Sequence, residues 1–360
     1  MSADTARRSD AIAIARVICI LGVIYVHAWT GLNGAMLEQL RGTPQENLRW
    51  VLMECFGRSA VPLLGLISGW LVAGSARTRD WGRHVARKTQ TILLPMIMWN
   101  ALAILLVSGT AHIGSLAAPH VQSLGWMAQE LFIVTRNPDI NVQMPFLRDL
   151  FLCMLAAPLM VRLPNGALIL IAATAALCQI WGIGPPVLMR ASILFFFTAG
   201  MLARRLGWAD RVAALPFLVA AAPFALLMPI QLAQSAWGHG GLAPALAPVL
   251  VGALDMAVRV AAALFFWRLS WTLAGSGARG ALLRVEPFAF FLFCAHLIII
   301  WLGGPAIGAL VGQLGSPLYP LFLIVQPILI LVVVVGVGTA LKQVAPLTTA
   351  LLSGGRLRPA

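Results

Sequence analysis

Charged residues are scarce in this chain. Of its 360 residues, 10% are Asp, Glu, Lys or Arg and 60% are hydrophobic, whereas soluble domains typically carry about 25% charged residues. The mean hydropathy is +0.89. This composition excludes an ordinary soluble enzyme and predicts an all-α polytopic membrane protein, because a helix satisfies its own backbone hydrogen bonds in lipid.

Cysteine is also rare and irregularly placed. No Cys-x-x-Cys pair or Cys/His spacing joins the five cysteines, which all lie in apolar runs: Cys19, Cys55, Cys153, Cys178 and Cys294. Zinc sites and disulfide frameworks depend on such spacings. We therefore expect neither a bound metal nor a disulfide framework.

Acidic residues are half as common as basic ones, 12 against 25, so the net charge is +13. In a soluble protein this excess would suggest nucleic acid. In a membrane protein it has another explanation, because positive residues are retained in cytoplasmic loops. We expect the lipid bilayer, and no nucleic acid, as a partner.

Apolar runs of about 20 residues, the length that crosses a bilayer, occur ten times. We predict transmembrane spans at approximately 11–31, 50–74, 89–109, 145–161, 166–183, 190–204, 212–232, 248–268, 285–303 and 318–341. No separate soluble domain or strong internal repeat interrupts them. The sequence therefore predicts a single membrane domain over residues 1–360.

Basic residues cluster in alternate loops between these spans. The loops on one side of the membrane carry only Arg41, Arg49 and Arg136 outside the predicted spans. The two tails and the loops on the other side carry the rest: Arg7, Arg8, Arg77, Arg79, Arg83, Arg87, Lys88, Arg162, Arg204, Arg205, Arg211, Arg268, Arg279, Arg284, Lys342, Arg356 and Arg358. This asymmetry predicts that both termini are cytoplasmic.

The first span carries two ionisable residues, Arg16 and His27. Eleven helical positions rise about 16 Å and turn about three times plus ~20°. On a continuous helix the two side chains would share one face, with Arg16 near the cytoplasmic end and His27 about half a hydrocarbon core deeper. This alignment suggests a polar path through the protein.

Other ionisable residues also fall within or beside the predicted spans: Glu54, Arg58, Arg148, Asp149, Arg190, Asp255, Arg259, Glu286 and His296. Such residues are costly in lipid and usually face the protein interior. Glu54/Arg58 and Asp255/Arg259 are spaced i,i+4, which predicts an ion pair on each helix. Mutual neutralisation is the favoured explanation of Asp255/Arg259, whereas for Glu54/Arg58 it is even with a functional role, and His296 is equally consistent with packing.

The histidines and cations in the loops allow two interpretations. Arg83, Arg87 and Lys88 either anchor the chain at the cytoplasmic surface or bind an anion beside the start of the third span, since helix N-termini suit phosphates. We expect the remaining histidines to be solvated in loops: His84, His112, His120 and His239.

Several segments together resemble one family, the integral-membrane acyltransferase-3 proteins that modify cell-surface glycans. Arg16 and His27 match its Arg-x10-His signature, and RSAVPLLGLISGWLVAG from Arg58 resembles its VPLFF-ISGYL pattern. RHVARKTQTILLPMIMWN resembles its basic loop before LLP, and MPFLRDLF resembles its LWFLRDLF. Thr91 and Met144-Pro145 depart from these patterns, where members often have Arg and Leu-Trp.

This resemblance implies a stand-alone glycan O-acyltransferase in the bacterial cytoplasmic (inner) membrane. The donor would be a cytoplasmic acyl-CoA, most often acetyl-CoA with succinyl-CoA as the main competitor. The acceptor would be a hydroxyl of an exported or lipid-linked glycan.

The resemblance and the positions of the residues on the spans assign the following roles. His27 would serve as general base or as transient acyl carrier. The CoA phosphates would meet Arg16, Arg83, Arg87 and Lys88. Arg148, Arg58 and Ser68 are candidates to stabilise the oxyanion, Glu54 or Asp149 to orient His27 or an arginine, and His296 to support the site.

Two other functions fit many spans with buried charges. A glycan-precursor transporter or flippase would have inverted repeats and broken helices in corresponding halves, and the sequence does not display them. An assembly subunit of an export complex would need its charges for association and not for transfer. Labelled acyl-CoA discriminates the acyltransferase from the transporter, because only an acyltransferase moves the label to glycan, and charge substitutions that harm partner association without affecting transfer would favour the assembly subunit.

Overall fold

The structure is a computed structural model that describes residues 3–114, 116–184, 187–237 and 247–357. Within these ranges no β-strand occurs. The α-helices are α1 Ala3–Val26, α2 Gly34–Gln39, α3 Pro44–Leu52, α4 Ser59–Ala73, α5 Trp81–Lys88, α6 Leu94–Ala103, α7 Gly109–His112, α8 Leu124–Phe132, α9 Pro145–Met160, α10 Asn165–Ile180, α11 Ala191–Arg205, α12 Trp208–Ala214, α13 Phe217–Trp237, α14 Ala247–Ala274, α15 Arg279–Val285, α16 Ala289–Val311, α17 Tyr319–Val344 and α18 Pro346–Leu352. The prediction of an all-α fold is confirmed.

Seven helical segments of the described chain are long and apolar enough to cross a membrane: Thr5–Val26, Pro44–Ala73, Trp81–His112, Phe217–Ser235, Ala247–Ala274, Arg279–Val311 and Tyr319–Val344. The predicted spans 145–161, 166–183 and 190–204 coincide with α9, α10 and α11, which have only 16, 16 and 15 residues. Sixteen residues rise about 24 Å, less than the ~30 Å hydrocarbon core. The polytopic architecture is confirmed, and the count of ten spans and the side of the termini stay predictions.

Among the residues that the structure describes, three π-helical segments widen the spanning helices. Met53–Arg58 joins α3 to α4, Thr89–Leu93 joins α5 to α6, and Ile104–Ser108 joins α6 to α7. The helices around the second and third predicted spans are therefore longer than expected, because the chain continues through these wide turns. The predicted seventh span begins late for a different reason: Pro216 precedes α13, and proline restricts the residue before it to extended backbone.

The described chain forms two compact units. Unit 1 comprises residues 1–23, 50–86 and 152–286, and unit 2 comprises residues 24–49, 87–151 and 287–360. Both draw on segments that are distant in sequence. A single membrane domain over residues 1–360 stays a prediction.

Glycines bring α4 and α11 together in unit 1. A Cβ atom at Gly69 would overlap the carbonyl of Phe197, and one at Gly200 would overlap the carbonyl of Leu66. Gly65 lies one turn before Gly69, with the Phe196 side chain 3.3 Å from the position of its missing Cβ. Small residues four apart allow such close backbone approach between membrane helices, so van der Waals contact along this seam holds the unit together.

Aromatic side chains fix the C-terminal segment within unit 2. The Trp99 ring meets Phe291 edge to face at 4.8 Å, and its Nε1 donates a hydrogen bond of 2.9 Å to the carbonyl of Leu352. The Arg356 guanidinium lies 4.0 Å from the centre of the Phe290 ring. These contacts tie α18 and the residues after it to α6 and α16.

Candidate functional site

Two histidines face each other in unit 2. His27 directly follows α1, and its ring centroid lies 5.4 Å from that of His296 on α16, with the planes tilted by 39°. His296 is fully buried and His27 is half-buried. The prediction that His27 continues the first helix is wrong, because α1 ends at Val26 and His27 lies in a turn, where its backbone N–H bonds to Ile24.

The proton of His296 is placed by its own helix. Its Nδ1 lies 2.8 Å from the carbonyl of Phe293 and 3.2 Å from that of Leu292. Carbonyl oxygens only accept hydrogen bonds, so Nδ1 carries the proton and Nε2 of the neutral ring has the lone pair. Within the described chain this Nε2 is buried and has no hydrogen-bond partner.

The segment after His27 is held against α16 by two glycines. Trp29 packs where a Cβ at Gly304 would lie 2.6 Å from its Nε1, and one at Gly308 would lie 3.1 Å from its ring. The Tyr319 hydroxyl donates to the carbonyl of Trp29 at 2.7 Å. These contacts fix the turn that carries His27.

The start of α9 supplies an ion pair between neighbouring residues. Arg148 Nη1 donates to Asp149 Oδ1 at 2.7 Å, and its Nη2 donates to the carbonyl of Val134 at 3.3 Å. Asp149 has no exposed surface. Nearby in sequence, Gln143 donates to the carbonyl of Cys294 at 3.4 Å, which connects this segment to α16.

Arg16 has a carboxylate partner in unit 1. Its Nη1 lies 3.0 Å from Glu286 Oε1, and the two side chains are 38% and 26% exposed. A guanidinium has five N–H donors, so Arg16 can bind Glu286 and an anion at the same time.

Two further ion pairs meet within unit 1. Glu54 Oε1 accepts from Arg58 Nη1, and Asp255 Oδ2 accepts from Arg259 Nε, both at 2.7 Å. Gln231 hydrogen-bonds the Glu54 carboxylate, and Asp255 and Arg259 are close enough to act on it electrostatically. Both i,i+4 pairs predicted from the spacing are confirmed.

A family model described as an acyltransferase domain matches residues 9–342. This chain belongs to the acyltransferase-3 family. It is similar to the succinoglycan biosynthesis protein ExoH of Rhizobium meliloti (strain 1021), with 28% identity over 378 residues that cover 97% of this chain and 92% of that protein. No solved structure matches the chain. With its spanning helices, the protein is a multi-pass membrane acyltransferase.

The basic residues of the acyltransferase do not surround a helix N-terminus as expected. Arg83, Arg87 and Lys88 all lie on α5, and helix continues from it through Thr89–Leu93 to His112. No helix begins at residue 89, so the backbone N–H groups there are bonded within the helix and are not open to a phosphate. Arg83 pairs with Asp80 at 3.3 Å and is 89% exposed.

The side chains of Ser68 and His84 have surroundings that the sequence did not predict. The Ser68 hydroxyl donates to the carbonyl of Leu64 at 2.8 Å, within its own helix. His84 was expected in a loop but lies buried on α5, with Nε2 3.1 Å from the carbonyl of Met154. His112 and His120 are exposed, and His239 lies outside the described residues.

Sequence reasoning missed the neutral polar residues. Gln231 and Gln143 carry no charge, so a search for ionisable groups in apolar runs passed over them, although a glutamine in such a run is itself a signal. Trp29 and Gly304 reveal their roles only through contact. Across the described residues, no group of three or more His, Cys, Asp or Glu side chains could hold a metal ion.

Proposed function

We propose that the protein transfers an acyl group from a cytoplasmic acyl-CoA to a hydroxyl of an exported or cell-surface polysaccharide, from the bacterial inner membrane. Membership of the acyltransferase family supports acyl transfer. Similarity to a succinoglycan biosynthesis protein supports a polysaccharide acceptor. The acyl group is acetyl or succinyl.

The observation that carries the proposal is the histidine pair. A sugar hydroxyl is a weak nucleophile at neutral pH, and imidazole is the side chain best suited to take its proton there. His27 is half-buried in a turn, where a substrate hydroxyl can reach it, whereas His296 is sealed within the protein. His27 is therefore the reacting imidazole and His296 the positioning one.

In the direct route, the acceptor oxygen attacks the thioester carbonyl carbon while His27 takes the hydroxyl proton. The tetrahedral intermediate collapses, the C–S bond breaks, and His27 returns the proton to the departing thiolate. The products are an O-acyl ester and free CoA. In the alternative route the His27 nitrogen is acylated first, CoA leaves as the thiol, and the hydroxyl then attacks the acyl-imidazole.

The donor site would use the cations at the cytoplasmic side. Arg16 is the first candidate to bind a CoA phosphate, with Glu286 fixing its guanidinium, and Arg83, Arg87 and Lys88 would contribute further charge. Arg148, oriented by Asp149, is the first candidate to stabilise the oxyanion. Ser68 is a weaker one, because its hydroxyl is already donated within its helix.

The test is acyl transfer by the purified protein in lipid nanodiscs. Incubation with radiolabelled acetyl-CoA or succinyl-CoA and deacylated host polysaccharide should label the polysaccharide. His27→Ala should reduce transfer by at least ~10²-fold, the usual contribution of a general base, while the variant inserts and folds normally. Full activity of this variant would contradict the role of His27. Glycan transport without label transfer, measured with the protein in sealed lipid vesicles, would favour a flippase.

A further inference from the structure

Two ion pairs of unit 1 lie close enough to act on each other electrostatically, which membrane insertion does not require. Glu54 and Arg58 neutralise each other on one helix, and Asp255 and Arg259 do so on α14. Each pair would satisfy itself in isolation. Their arrival at one place, with Gln231 of α13 against Glu54, therefore needs another explanation.

We propose that Glu54, Arg58, Gln231, Asp255 and Arg259 bind a sugar of the acceptor polysaccharide. This sugar site rests on the proposed function and adds to it the residues that recognise the acceptor. Neither His27 nor His296 is among its residues, so acceptor binding and acyl transfer can be tested by separate measurements.

The exposure of these side chains shows that the sugar site is accessible to polar molecules. Glu54 is 3% exposed, whereas Arg58, Asp255 and Arg259 are 41%, 24% and 22% exposed. Ionised side chains on spanning helices are costly when they face lipid and face protein or water-filled cavities instead. The accessible side of the sugar site therefore faces water or a polar ligand.

The hydrogen-bonding capacity of the sugar site exceeds what its own contacts use. Gln231 Oε1 is buried without a hydrogen-bond partner among the described residues. Each guanidinium has five donors and each carboxylate about four lone-pair sites. The hydroxyl groups of a sugar can each donate and accept a hydrogen bond, so they match a site that offers both donors and acceptors.

The charge of the sugar site selects against ions. Two carboxylates balance two guanidiniums, so the sugar site has no net charge that would attract a phosphate or a metal cation. A neutral polyhydroxylated ligand binds through hydrogen bonds and needs no such net charge. Trp50 supports the arrangement, because the Arg58 guanidinium lies 5.5 Å from the centre of its ring and this contact holds the donor in place.

The backbone at Glu54 and Arg58 is itself unusual. Both residues lie in the π-helical segment Met53–Arg58, and the Ser59 hydroxyl donates to the carbonyl of Glu54 at 2.5 Å. Pro62 follows within α4 and has no N–H for the preceding turn. Single π-helical turns occur frequently at functional sites, which agrees with a binding role for this segment.

The experiment measures acceptor binding with no acyl-CoA present. The probe is a set of tritium-labelled oligosaccharides made by partial hydrolysis of deacylated host polysaccharide, added to the full-length protein in nanodiscs for equilibrium dialysis. Gln231→Leu and the charge-neutral double variant Asp255→Asn/Arg259→Gln should each bind the probe roughly tenfold or more weakly, because hydrogen bonds to charged groups are lost. The control is Asp210→Asn, which breaks the Arg8–Asp210 pair elsewhere in unit 1 and should bind normally.

Every outcome of this experiment supports or contradicts the sugar site. Unchanged probe affinity in both variants, or no binding to the wild type, would overturn the sugar site even if acyl transfer occurs. Probe binding that depends on these residues, without acyl transfer by the wild type, would support the sugar site and contradict the proposed function. Gln231→Leu keeps both ion pairs, so it remains informative if the double variant does not fold.

Discussion

At the scale of single residues, the two histidines of unit 2 have different surroundings. His296 is enclosed and its Nδ1–H is committed to carbonyls of its own helix. His27 lies in the turn that follows α1 and is half-buried. A fixed tautomer and a fixed ring plane suit an imidazole that orients its neighbour, whereas a residue that exchanges protons with a substrate needs access.

The pairing of Arg16 with Glu286 leads to a prediction about the donor. Arg16→Lys should raise the KM for acyl-CoA several-fold with a smaller effect on kcat, because an ammonium cannot hold a carboxylate and a phosphate in one plane. Glu286→Gln should have the same effect in weaker form, since it removes the charge that fixes Arg16. Initial rates at varied acyl-CoA measure both.

The control for this pair is Asp10→Asn, which breaks the exposed salt bridge between Asp10 and Arg279 in the same unit. Its kinetics should match the wild type. A normal KM in Arg16→Lys would show that Arg16 does not bind the donor.

Residue spacing predicted some of these contacts and not others. Glu54/Arg58 and Asp255/Arg259 follow from the i,i+4 rule, because a helix alone brings such residues together. The contact of His27 with His296 joins residues 269 positions apart in sequence (296 − 27), and no helical period contains it. Gln231 has the same difficulty, since its partner Glu54 lies on another helix.

At the scale of helices, glycines on α16 set the position of the His27 turn. Gly304→Ala should reduce transfer strongly, because the new methyl group would lie 2.6 Å from Trp29 Nε1 and displace the segment after His27. Gly303→Ala is the matched control: its Cβ would meet only Ile307, at an ordinary 3.8 Å. Overpacking of this kind typically costs about 1–3 kcal/mol.

Transfer rates and thermal unfolding of the two variants are the measurements. Equal activity of Gly304→Ala and Gly303→Ala would mean that Trp29 does not position His27.

A buried carboxylate on α8 makes the segment around it pH-dependent. Glu130 is 2% exposed, and its two oxygens accept the backbone N–H groups of Asp139 at 2.6 Å and Ile140 at 3.2 Å. Burial raises the pKa of Glu130 above its ordinary 4.5, although these hydrogen bonds oppose the shift. The folded state therefore holds this proton to higher pH than the unfolded chain does.

Because of this shift, Glu130 contributes stability below pH 4.5 that is lost as the pH rises through its raised pKa. The Tm of the wild type should fall with pH across this range, and Glu130→Gln should remove part of the slope. Glu38→Gln, an exposed carboxylate of α2, controls for the loss of one acid. Identical slopes in the wild type and Glu130→Gln would contradict the prediction.

Helix boundaries were less predictable than helix existence. Apolar length locates the spanning segments, but it carries no information about π-helical turns, which depend on local backbone geometry. The setting of His84 has a different cause: its polar, basic stretch is typical of a loop, but the structure continues this stretch as helix into the membrane segment that follows.

At the scale of the whole molecule, the charge asymmetry predicts the orientation in the membrane. A green fluorescent protein fused after Ala360 should fluoresce, because the C-terminus is predicted to be cytoplasmic, and alkaline phosphatase fused there should be inactive. Alkaline phosphatase inserted into the loop around residue 118 should be active, because that loop is predicted to lie on the opposite side of the membrane. An active phosphatase at the C-terminus would contradict the prediction that both termini are cytoplasmic.

The polypeptide passes from one unit to the other five times, and these exchanges fall at residues 23/24, 49/50, 86/87, 151/152 and 286/287. Four of these exchanges fall inside the continuous helices α1, α3, α5 and α9. Neither unit can be complete while the ribosome is still upstream of residue 286, so early segments must wait in the bilayer for late ones. No contiguous gene fragment encodes one whole unit without part of the other, and premature truncation removes part of unit 2 however near the end it falls.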